Sequence, residues 1–534
     1  MNAHQTGDSG NATVESASTT RWWTLAAASI GLFMLLLDIT IVNVALPDIQ
    51  KELHASLSDL QWVIDAYALS LAAFLLTAGS LADLLGRRRV FAVGVAIFSL
   101  GSLSCGVAQS PLFLSLARAG QGVGGAVMFA TSFALVAQAF HGKERGVAFG
   151  VLGAITGVAV AVGPVLGGAL TSGISWRWIF FVNLPIAAIA IAMTLLRVNE
   201  SRDPAAAHPD WMGFLTFSAA LATLVYGLIE SNSHAWGSSV VVGSLVSAAV
   251  LLIAFIATEL RQHQPMFDLS LLRNPTFVGG LAAAFAIAAS LLTLITFLVL
   301  YFQNVLGYSA IGTGVRLLAL TGAIFFSAGI AGRLTAKIPV RFLVGPGFIL
   351  VGVGLLLMRG ISPSSEWTHF LAGMIVAGVG SSFVNVPVAS IAVGVVHPTR
   401  AGMGSGINST LRQVGLAAGI ASIGSIFAAR VRDGVVSGLA GTPLADNSHT
   451  LAHAIGAGHA AQAIATTPPG LRGQLAAVST SSFVGGLNDI LLIAAVIAFA
   501  GAALGLVLIR QRDFVDSSPP EAVPDGALAV SGAS

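Results

Sequence analysis

Three ionisable residues, Asp38, Asp65 and Arg118, lie inside long stretches of apolar sequence. A charged side chain within a lipid bilayer costs at least about 2.5–3.5 kcal/mol, so each of these residues is a candidate for a functional role. Burial opposes the charge of a carboxylate and a nearby arginine favours it, and this balance suits a carboxyl group to gaining and losing a proton. The alternatives are a static Asp38–Arg118 ion pair that holds helices together, and an exposed or helix-capping role for Asp65.

The composition decides which elements position these side chains. Hydrophobic residues make up 55% of the chain and charged residues only 9%, against about 25% charged in soluble domains. Apolar runs of about 20 residues recur from end to end, which predicts an all-α polytopic membrane protein. The net charge of +2 is spread among loops, and we expect no nucleic-acid partner. The single cysteine, Cys105, excludes an intramolecular disulfide framework.

Fourteen spans are predicted, and the basic residues orient them. Sixteen Lys and Arg residues fall on the side of Arg87 and six on the opposite side, which predicts cytoplasmic termini in a multi-pass plasma-membrane protein. A twelve-span count would leave two apolar stretches unexplained. The predicted spans are 22–46, 61–82, 90–108, 112–138, 146–171, 179–197, 212–231, 238–258, 276–302, 314–333, 342–359, 368–392, 403–429 and 484–509.

The spans place the three ionisable residues at similar depths. At 1.5 Å per residue, Asp38 lies about 12 Å, Asp65 about 6 Å and Arg118 about 9 Å below the outer face. These depths permit a single network of net charge −1.

A faint internal repeat divides the chain. Gly332-Arg-Leu334, followed by Lys337 and Arg341, repeats the spacing of Gly79-Ser-Leu81 with Arg88. Duplicated six-helix halves are typical of secondary transporters. The predicted organisation is a polar cytoplasmic tail (1–21), a first bundle (22–199), a linker with two extra helices (200–274), a second bundle (275–510) containing a long external loop (431–482), and a disordered cytoplasmic tail (511–534).

Five motifs in order resemble those of one family over about 22–510. Gly79–Arg89 resembles the loop signature of the major facilitator superfamily. Leu37–Pro47 and Trp62–Tyr67 resemble the first and second helices of its fourteen-span drug/proton antiporter branch. Leu116–Gly125 is similar to the fourth-helix motif whose arginine is assigned to proton transfer, and Gly157–Gly168 to the fifth-helix motif typical of exporters.

The resemblance implies a fold, a function and a set of site residues. It implies two six-helix bundles plus two inserted linker helices, working as a proton-coupled antiporter that exports drugs or other amphipathic small molecules. Asp38, Asp65 and Arg118 would couple protons. The remaining candidates are the conformational loop (Gly79, Asp83, Gly86, Arg87, Arg88), the exporter motif (Gly157, Gly163, Pro164, Gly167, Gly168) and the substrate cavity (Asn43, Tyr67, Gln121, Tyr301, Asn385, Asn408, Arg412).

Other functions stay open or are disfavoured. A dedicated exporter of an endogenous antibiotic, siderophore or lipid would use the same machinery, whereas a nutrient importer is disfavoured by the fifth-helix motif. An enzyme or sensor would need a catalytic constellation or a soluble domain, and the sequence contains neither. There is no G-x-x-x-x-G-K-[ST] loop for a nucleotide. His449, His453 and His459 lack an acidic or Cys partner, so we expect no metal, no cofactor beyond the proton gradient, and a monomer.

Overall fold

The computed structural model describes residues 8–140, 142–202, 209–231, 234, 236–262, 265–335, 337–396 and 401–514. In this part of the chain all regular structure is helical, and thirteen helices are long and apolar enough to cross a membrane. A fourteenth apolar helix, Arg341–Leu357, is shorter. The all-α polytopic fold predicted from the sequence is confirmed, and the helix count agrees with fourteen spans.

We number these helices in chain order. They are α1 (Asp8–Leu53), α2 (Leu57–Leu85), α3 (Arg87–Gly106), α4 (Pro111–Ala139), α5 (Gly142–Gly173), α6 (Trp178–Arg197, with a turn at Val182), α7 (Trp211–Glu230), α8 (Ser239–Glu259), α9 (Pro275–Val305), α10 (Ala310–Thr335), α11 (Arg341–Leu357), α12 (Thr368–Gly394), α13 (Ala401–Leu439) and α14 (Pro469–Leu508). Within α9, Ala288–Leu292 and Tyr301–Val305 are π-helical. Short helices outside the spans are Leu269–Arg273, Ala445–Asn447, Ser448–Gly456, Ala460–Thr466 and Gln511–Asp513.

Local sequence explains where the helices begin. Ser56 and Asp59 form a reciprocal capping box at the start of α2, with the Asp59 N–H donating to Ser56 Oγ over 3.1 Å. Ser110 caps α4, whose first residue is a proline, and proline is favoured there because its missing N–H has no helical partner. Gly86 has a φ of +108°, which reverses the chain between α2 and α3 and favours glycine.

The helices pack in two groups with a hairpin beside them. Helices α1–α6 pack mainly with one another, as do α9–α14. The groups meet where α5 packs on α10, α2 on α13 and α1 on α9. Helices α7 and α8 pack on each other, and α7 touches both α2 and α13. The hairpin therefore lies beside one contact between the groups.

The bundle has two ends that we name by their charge. The basic end carries Arg87 and Arg341, and the other is the opposite end. Towards the opposite end, Gly168 of α5 lies against the Ala310 carbonyl, and the Pro164 carbonyl lies against Gly314 of α10. Towards the basic end, an added Cβ would meet nothing within 4 Å at four glycines of these two helices: Gly150, Gly153, Gly329 and Gly332.

The structure differs from the predicted boundaries at the start of the first helix and in the predicted external loop. Helix α1 begins at Asp8 rather than at 22, while residues 1–7 and 515–534 lie outside the described part. Much of the predicted loop 431–482 is helical, because α13 continues to Leu439 and α14 begins at Pro469. A 39-residue helix is about 58 Å long, well beyond a hydrocarbon core of about 30 Å. Hydropathy therefore marks the membrane-spanning part and misses the extension.

Candidate functional site

A closed triangle of polar side chains lies inside the first group of helices. Arg118 Nη1 on α4 contacts Asp38 Oδ2 on α1 at 2.5 Å, and it also donates to Gln121 Oε1 over 2.8 Å. Gln121 Nε2 donates to the second Asp38 oxygen, Oδ1, over 2.8 Å. Asp38 and Gln121 are fully buried and Arg118 is 2% exposed. Both oxygens of the carboxylate are thereby paired within a net-neutral cluster.

Helix α2 completes the surroundings of the triangle. Arg118 Nε donates to the Val63 carbonyl over 3.1 Å, and the guanidinium carbon lies 4.1 Å from the centre of the Tyr67 ring. This placement allows a cation–π interaction. Gly122 of α4 lies against the Tyr67 carbonyl, so a side chain there would push α4 away from α2. Tyr67 and Gln121, predicted as cavity residues, both surround the ion pair.

Asp65 lies apart from the triangle. It is fully buried, and neither of its carboxylate oxygens has a hydrogen-bond partner within the described residues. An exposed or capping role does not fit, because Asp59 caps α2. Gln61, one turn earlier, donates to the Ile420 carbonyl of α13 over 3.0 Å. Residues four apart share a helix face, so Asp65 lies on the side of α2 towards α13. The sequence predicted that Asp38, Asp65 and Arg118 could form one network. In the structure Asp38 and Arg118 are paired, and Asp65 lies apart from them.

Asp83 and Arg87 form the first half of the loop cluster at the basic end. Arg87 Nε donates to Asp83 Oδ1 over 2.8 Å, and Arg87 Nη1 donates to Gln138 Oε1 at the end of α4 over 2.8 Å. At Gly79 an added Cβ would meet nothing within 4 Å. Through Arg87, the contacts with Asp83 and Gln138 tie the start of α3 to the ends of α2 and α4 within the first group of helices.

Glu200 holds the second half of the loop and was not singled out from the sequence. Its carboxylate accepts hydrogen bonds from the backbone N–H groups of Arg88, over 3.1 Å, and Arg89, over 3.3 Å. An acid is favoured at the N-terminus of α3 by the free N–H groups and the helix dipole. A Cβ at Gly86 would lie 2.7 Å from this carboxyl group. The backbone angle of Gly86 thus favours glycine, and a larger residue there would displace the Glu200 carboxyl group from the start of α3.

The glycine motif of α5 faces two helices at once. Gly163 lies against Thr40 of α1 and Gly167 against Ile41, one residue further along α1. Gly168 and Pro164 face α10 instead, as described above, and Gly157 lies against an aromatic ring of α10. Close backbone approach of this kind is what small residues permit in membrane helices. The motif therefore forms part of the contact between the two groups, and it meets α1 within one helical turn of Asp38.

Polar side chains cross between the two groups towards the opposite end. Thr296 Oγ1 of α9 donates to Asn43 Oδ1 of α1 over 3.0 Å, and Gln303 Nε2 donates to the Val44 carbonyl over 2.8 Å. We call these polar contacts between the two groups, towards the opposite end, the seal. Asn43, predicted as a cavity residue, is thus part of the seal. The partners Thr296 and Gln303 were not predicted, because a one-dimensional pattern does not identify contacts over 250 residues apart.

The second group supplies polar side chains that remain partly exposed. Asn408 and Arg412 lie one turn apart on α13, and Asn408 Oδ1 is buried without a partner. Arg412 makes no hydrogen bond or ion pair among the described residues. Asn385 of α12 donates to Ser381 of the same helix over 3.0 Å. Tyr301, by contrast, is fully buried against Phe370, away from these three.

The site offers no arrangement for a metal ion within the part of the chain that the structure describes. No group of three or more His, Cys, Asp or Glu side chains converges there. The chemistry available to the Asp38–Arg118–Gln121 triangle is proton binding. The Asp38 carboxyl group can be either protonated or ionised there, in an environment shielded from water.

Comparison with known proteins places this arrangement in a family. Residues 28–420 match the Major Facilitator Superfamily. The chain is 38% identical over 411 residues to Multidrug resistance protein Stp of Mycobacterium tuberculosis (strain CDC 1551 / Oshkosh), covering 77% of this chain and 76% of that protein. It is 32% identical over 516 residues to the Tetracenomycin C resistance and export protein of Streptomyces glaucescens, with 94% of each covered.

A solved structure supports the fold independently of sequence. A bacterial homolog of the human lysosomal transporter Spinster superposes with a TM-score of 0.60 at 17% identity, covering 93% of this chain and 99% of that one. The matched relatives include drug-resistance and export proteins. The chain belongs to the major facilitator superfamily and is a multi-pass membrane transporter.

Proposed function

We propose that this transporter is a proton-coupled antiporter that exports drugs or other amphipathic small molecules across the plasma membrane. The observation that carries the proposal is the buried Asp38–Arg118–Gln121 triangle. If Asp38 served only to pack α1 against α4, an apolar residue could do the same with a smaller desolvation penalty. The retention of Asp38 is explained if the group must alternate between charged and neutral forms.

The proposed orientation puts the basic end in the cytoplasm, together with both termini. Short loops rich in Arg remain on that side, and Arg87 to Arg89 and Arg341 lie there. With this orientation the contacts towards the opposite end close the outer face, and the bare glycines of α5 and α10 line a gap that opens inward. The structure would then represent the state that receives substrate from the cytoplasm.

Asn408 and Arg412 are the proposed contacts for substrate in the second half. Both are partly exposed and incompletely paired, so a bound molecule can replace water on them. An arginine in this position suits anionic or hydrogen-bond-accepting groups. The described helices α10 to α13 contain a single acid, Asp433, which lies in the part of α13 beyond the predicted span 403–429. The absence of acids from the rest of these described helices disfavours a strict requirement for cationic drugs.

The proton step is proposed at Asp38. In the outward-open state a proton from outside would neutralise this carboxyl group and release Arg118 and Gln121 from it. In the inward-open state the proton would leave and the triangle would re-form as the structure shows it. A proton crossing 100 mV releases about 2.3 kcal/mol, and each pH unit adds about 1.4 kcal/mol. One proton can therefore sustain a gradient of roughly two to three decades.

A second candidate is a dedicated exporter of an endogenous metabolite. It is favoured by the Streptomyces glaucescens relative, which matches 94% of this chain and whose name includes both resistance to and export of tetracenomycin C. The machinery would be unchanged, and only the lining of the cavity would differ. A narrow substrate range in a panel of unrelated dyes and antibiotics would support this candidate over a multidrug pump.

The proposed function is tested by loading cells with a fluorescent dye and following its efflux. Cells that carry the transporter should expel dye against its gradient, and a protonophore should abolish this while ATP levels are maintained. Purified protein in liposomes should release protons into the lumen as substrate moves in the opposite direction. Export that continues with no proton gradient would contradict the proposal.

A further inference from the structure

Two carboxyl groups meet at the basic end of the α7–α8 hairpin. Asp210 precedes α7 and Glu259 ends α8, and they are 7% and 3% exposed. Asp210 Oδ1 accepts hydrogen bonds from the Gly213 N–H over 2.8 Å and from Gln262 Nε2 over 3.3 Å. Glu259 Oε2 accepts one from the Phe267 N–H over 3.0 Å. One oxygen of each acid is thereby satisfied.

The second oxygen of each acid is buried with no partner in the structure. These atoms are Asp210 Oδ2 and Glu259 Oε1. Both point to the same spot, because a Cβ added at Gly213 would lie 2.6 Å from the first and 2.5 Å from the second. The two carboxyl groups therefore face each other beside Gly213. Ionised carboxylates only accept hydrogen bonds, so this contact requires a donor that neither acid supplies when charged.

No basic side chain of the described residues neutralises the pair. Among the described residues, Asp210 is the charged group that faces Glu259 beside Gly213. The other charged groups of the described residues on the surrounding elements are Arg261 after α8, Asp268 and Arg273 on the segment before α9, Glu230 on α7, Asp59, Asp65 and Asp83 on α2, and Arg412, Arg430, Arg432 and Asp433 on α13. No ion pair within the described part of the chain includes Asp210 or Glu259. His208 and His263 flank the pair in sequence and lie outside the described residues.

We propose that Asp210 and Glu259 share one bound proton, forming a proton-binding site separate from the Asp38 triangle. The neutral acid donates its O–H to the ionised one, which satisfies both remaining oxygens with a single hydrogen bond. When both acids are ionised, two like charges occupy one desolvated site, and their repulsion drives them apart. The proton therefore stabilises the contact at low and neutral pH, and the stabilisation is lost as the pH rises.

The bound proton fixes the linker to the rest of the bundle. Glu259 holds the backbone of Phe267, whose ring packs on Phe255 of α8 with centroids 6.5 Å apart. The neighbouring residue, Met266, accepts a hydrogen bond at sulfur from Thr77 of α2 over 3.5 Å. Loss of the proton would loosen this segment, which leads directly into α9. Given the orientation proposed above, the site responds to cytoplasmic rather than external pH.

The test uses the purified full-length transporter in lipid nanodiscs. At pH 7 the infrared difference spectrum between wild type and Glu259→Gln should contain one protonated-carboxyl band that is present only in wild type. The matched control is Glu230→Gln, at the other end of the same hairpin, where Glu230 pairs with His234 at 3.1 Å. This control should leave the band unchanged.

A second measurement follows thermal unfolding between pH 6 and pH 8.5. The wild-type melting temperature should fall by several degrees over this range more than that of Glu259→Gln or Asp210→Asn. In each variant the amide N–H donates the shared hydrogen bond without titrating, so both should fold, and either variant alone suffices for the test.

Three outcomes would overturn the proposal. They are an unchanged infrared band in Glu259→Gln, a pH dependence of unfolding that is the same in wild type and both amide variants, and stabilisation of wild type alone by added Na⁺ or Ca²⁺. The last result would mean that a cation occupies the site. None of these outcomes bears on the proposed coupling at Asp38, because dye efflux with a protonophore is measured independently.

Discussion

Replacing Asp38 by Asn removes the negative charge from the buried triangle and keeps the size and shape of the side chain. The amide oxygen can still accept from Gln121 Nε2, but the charge that pairs with Arg118 is lost. Leaving one buried partner unpaired costs about 3–5 kcal/mol, and the retained hydrogen bond puts the expected loss at the lower end of this range. A folded protein has about 5–15 kcal/mol of stability, so the variant should insert with reduced thermal stability.

The functional loss should be much larger than the loss of stability. Without a titrating group on α1, the proton no longer drives the cycle, so a gradient of roughly two to three decades should collapse to equilibrium. Energised dye efflux from cells measures the gradient, and substrate exchange at equilibrium measures whether the transporter still alternates. Asp48→Asn is the matched control, because Asp48 lies on the same helix outside the triangle and should export normally.

A double variant distinguishes coupling from folding. Adding Arg118→Met to Asp38→Asn removes the unpaired charge, so abundance and melting temperature should recover while concentrative export stays absent. If Asp38→Asn alone accumulates no dye and retains normal proton-driven efflux, the assignment of the coupling proton to Asp38 is refuted. If the double variant restores export, the triangle serves only to hold helices together, which is the static ion-pair alternative.

Three further predictions concern conformational change. Asp83→Ala should slow turnover by about two- to fivefold with little change in substrate affinity, because the partly exposed ion pair with Arg87 is worth at most about 1 kcal/mol. Lost binding at unchanged turnover would contradict this, and Arg89→Gln, with its largely exposed side chain, is the control. Gly168→Leu should weaken the α5–α10 contact by about 1–3 kcal/mol and reduce export, whereas Gly173→Leu, where a Cβ meets nothing within 4 Å, should not. Cysteines placed along α7 and α8 in a Cys105→Ala background should react with a water-soluble thiol reagent only near the helix ends, and mid-span labelling that substrate blocks would put the hairpin in the transport path.

The sequence identifies the ionisable residues but not the directions in which they face. Asp38, Asp65 and Arg118 lie at similar depths, and depth is all that a hydropathy profile provides. Val63 and Tyr67 face Arg118, whereas Asp65 lies between them in sequence and therefore about half a helical turn away. Depth alone thus predicts one network. The orientation of α2 about its axis turns Asp65 away from Arg118, so Asp38 is paired and Asp65 is not.

Partners that are distant in sequence explain the remaining differences. Glu200 caps α3 more than 110 residues after Arg88, and Gln303 reaches the Val44 carbonyl across 259 residues. Neither contact follows a periodic pattern, so neither can be predicted from helix periodicity or from a motif. The glycine motif of α5 was recognisable because its spacing is local, although the helices that it faces were not.

The energy of one proton is comparable to the energy of the seal between the two groups of helices. The described polar contacts towards the opposite end include Asn43–Thr296, Val44–Gln303 and Gln61–Ile420. Each hydrogen bond contributes about 0.5–1.5 kcal/mol net, so the set is worth a few kcal/mol, close to what one proton releases. A much stronger seal would trap the state in which the opposite end is closed, and a weaker one would let ions leak. It follows that no single seal residue should be essential, because losing about 1 kcal/mol shifts the two populations only about fivefold, whereas losing Asp38 removes the energy source itself.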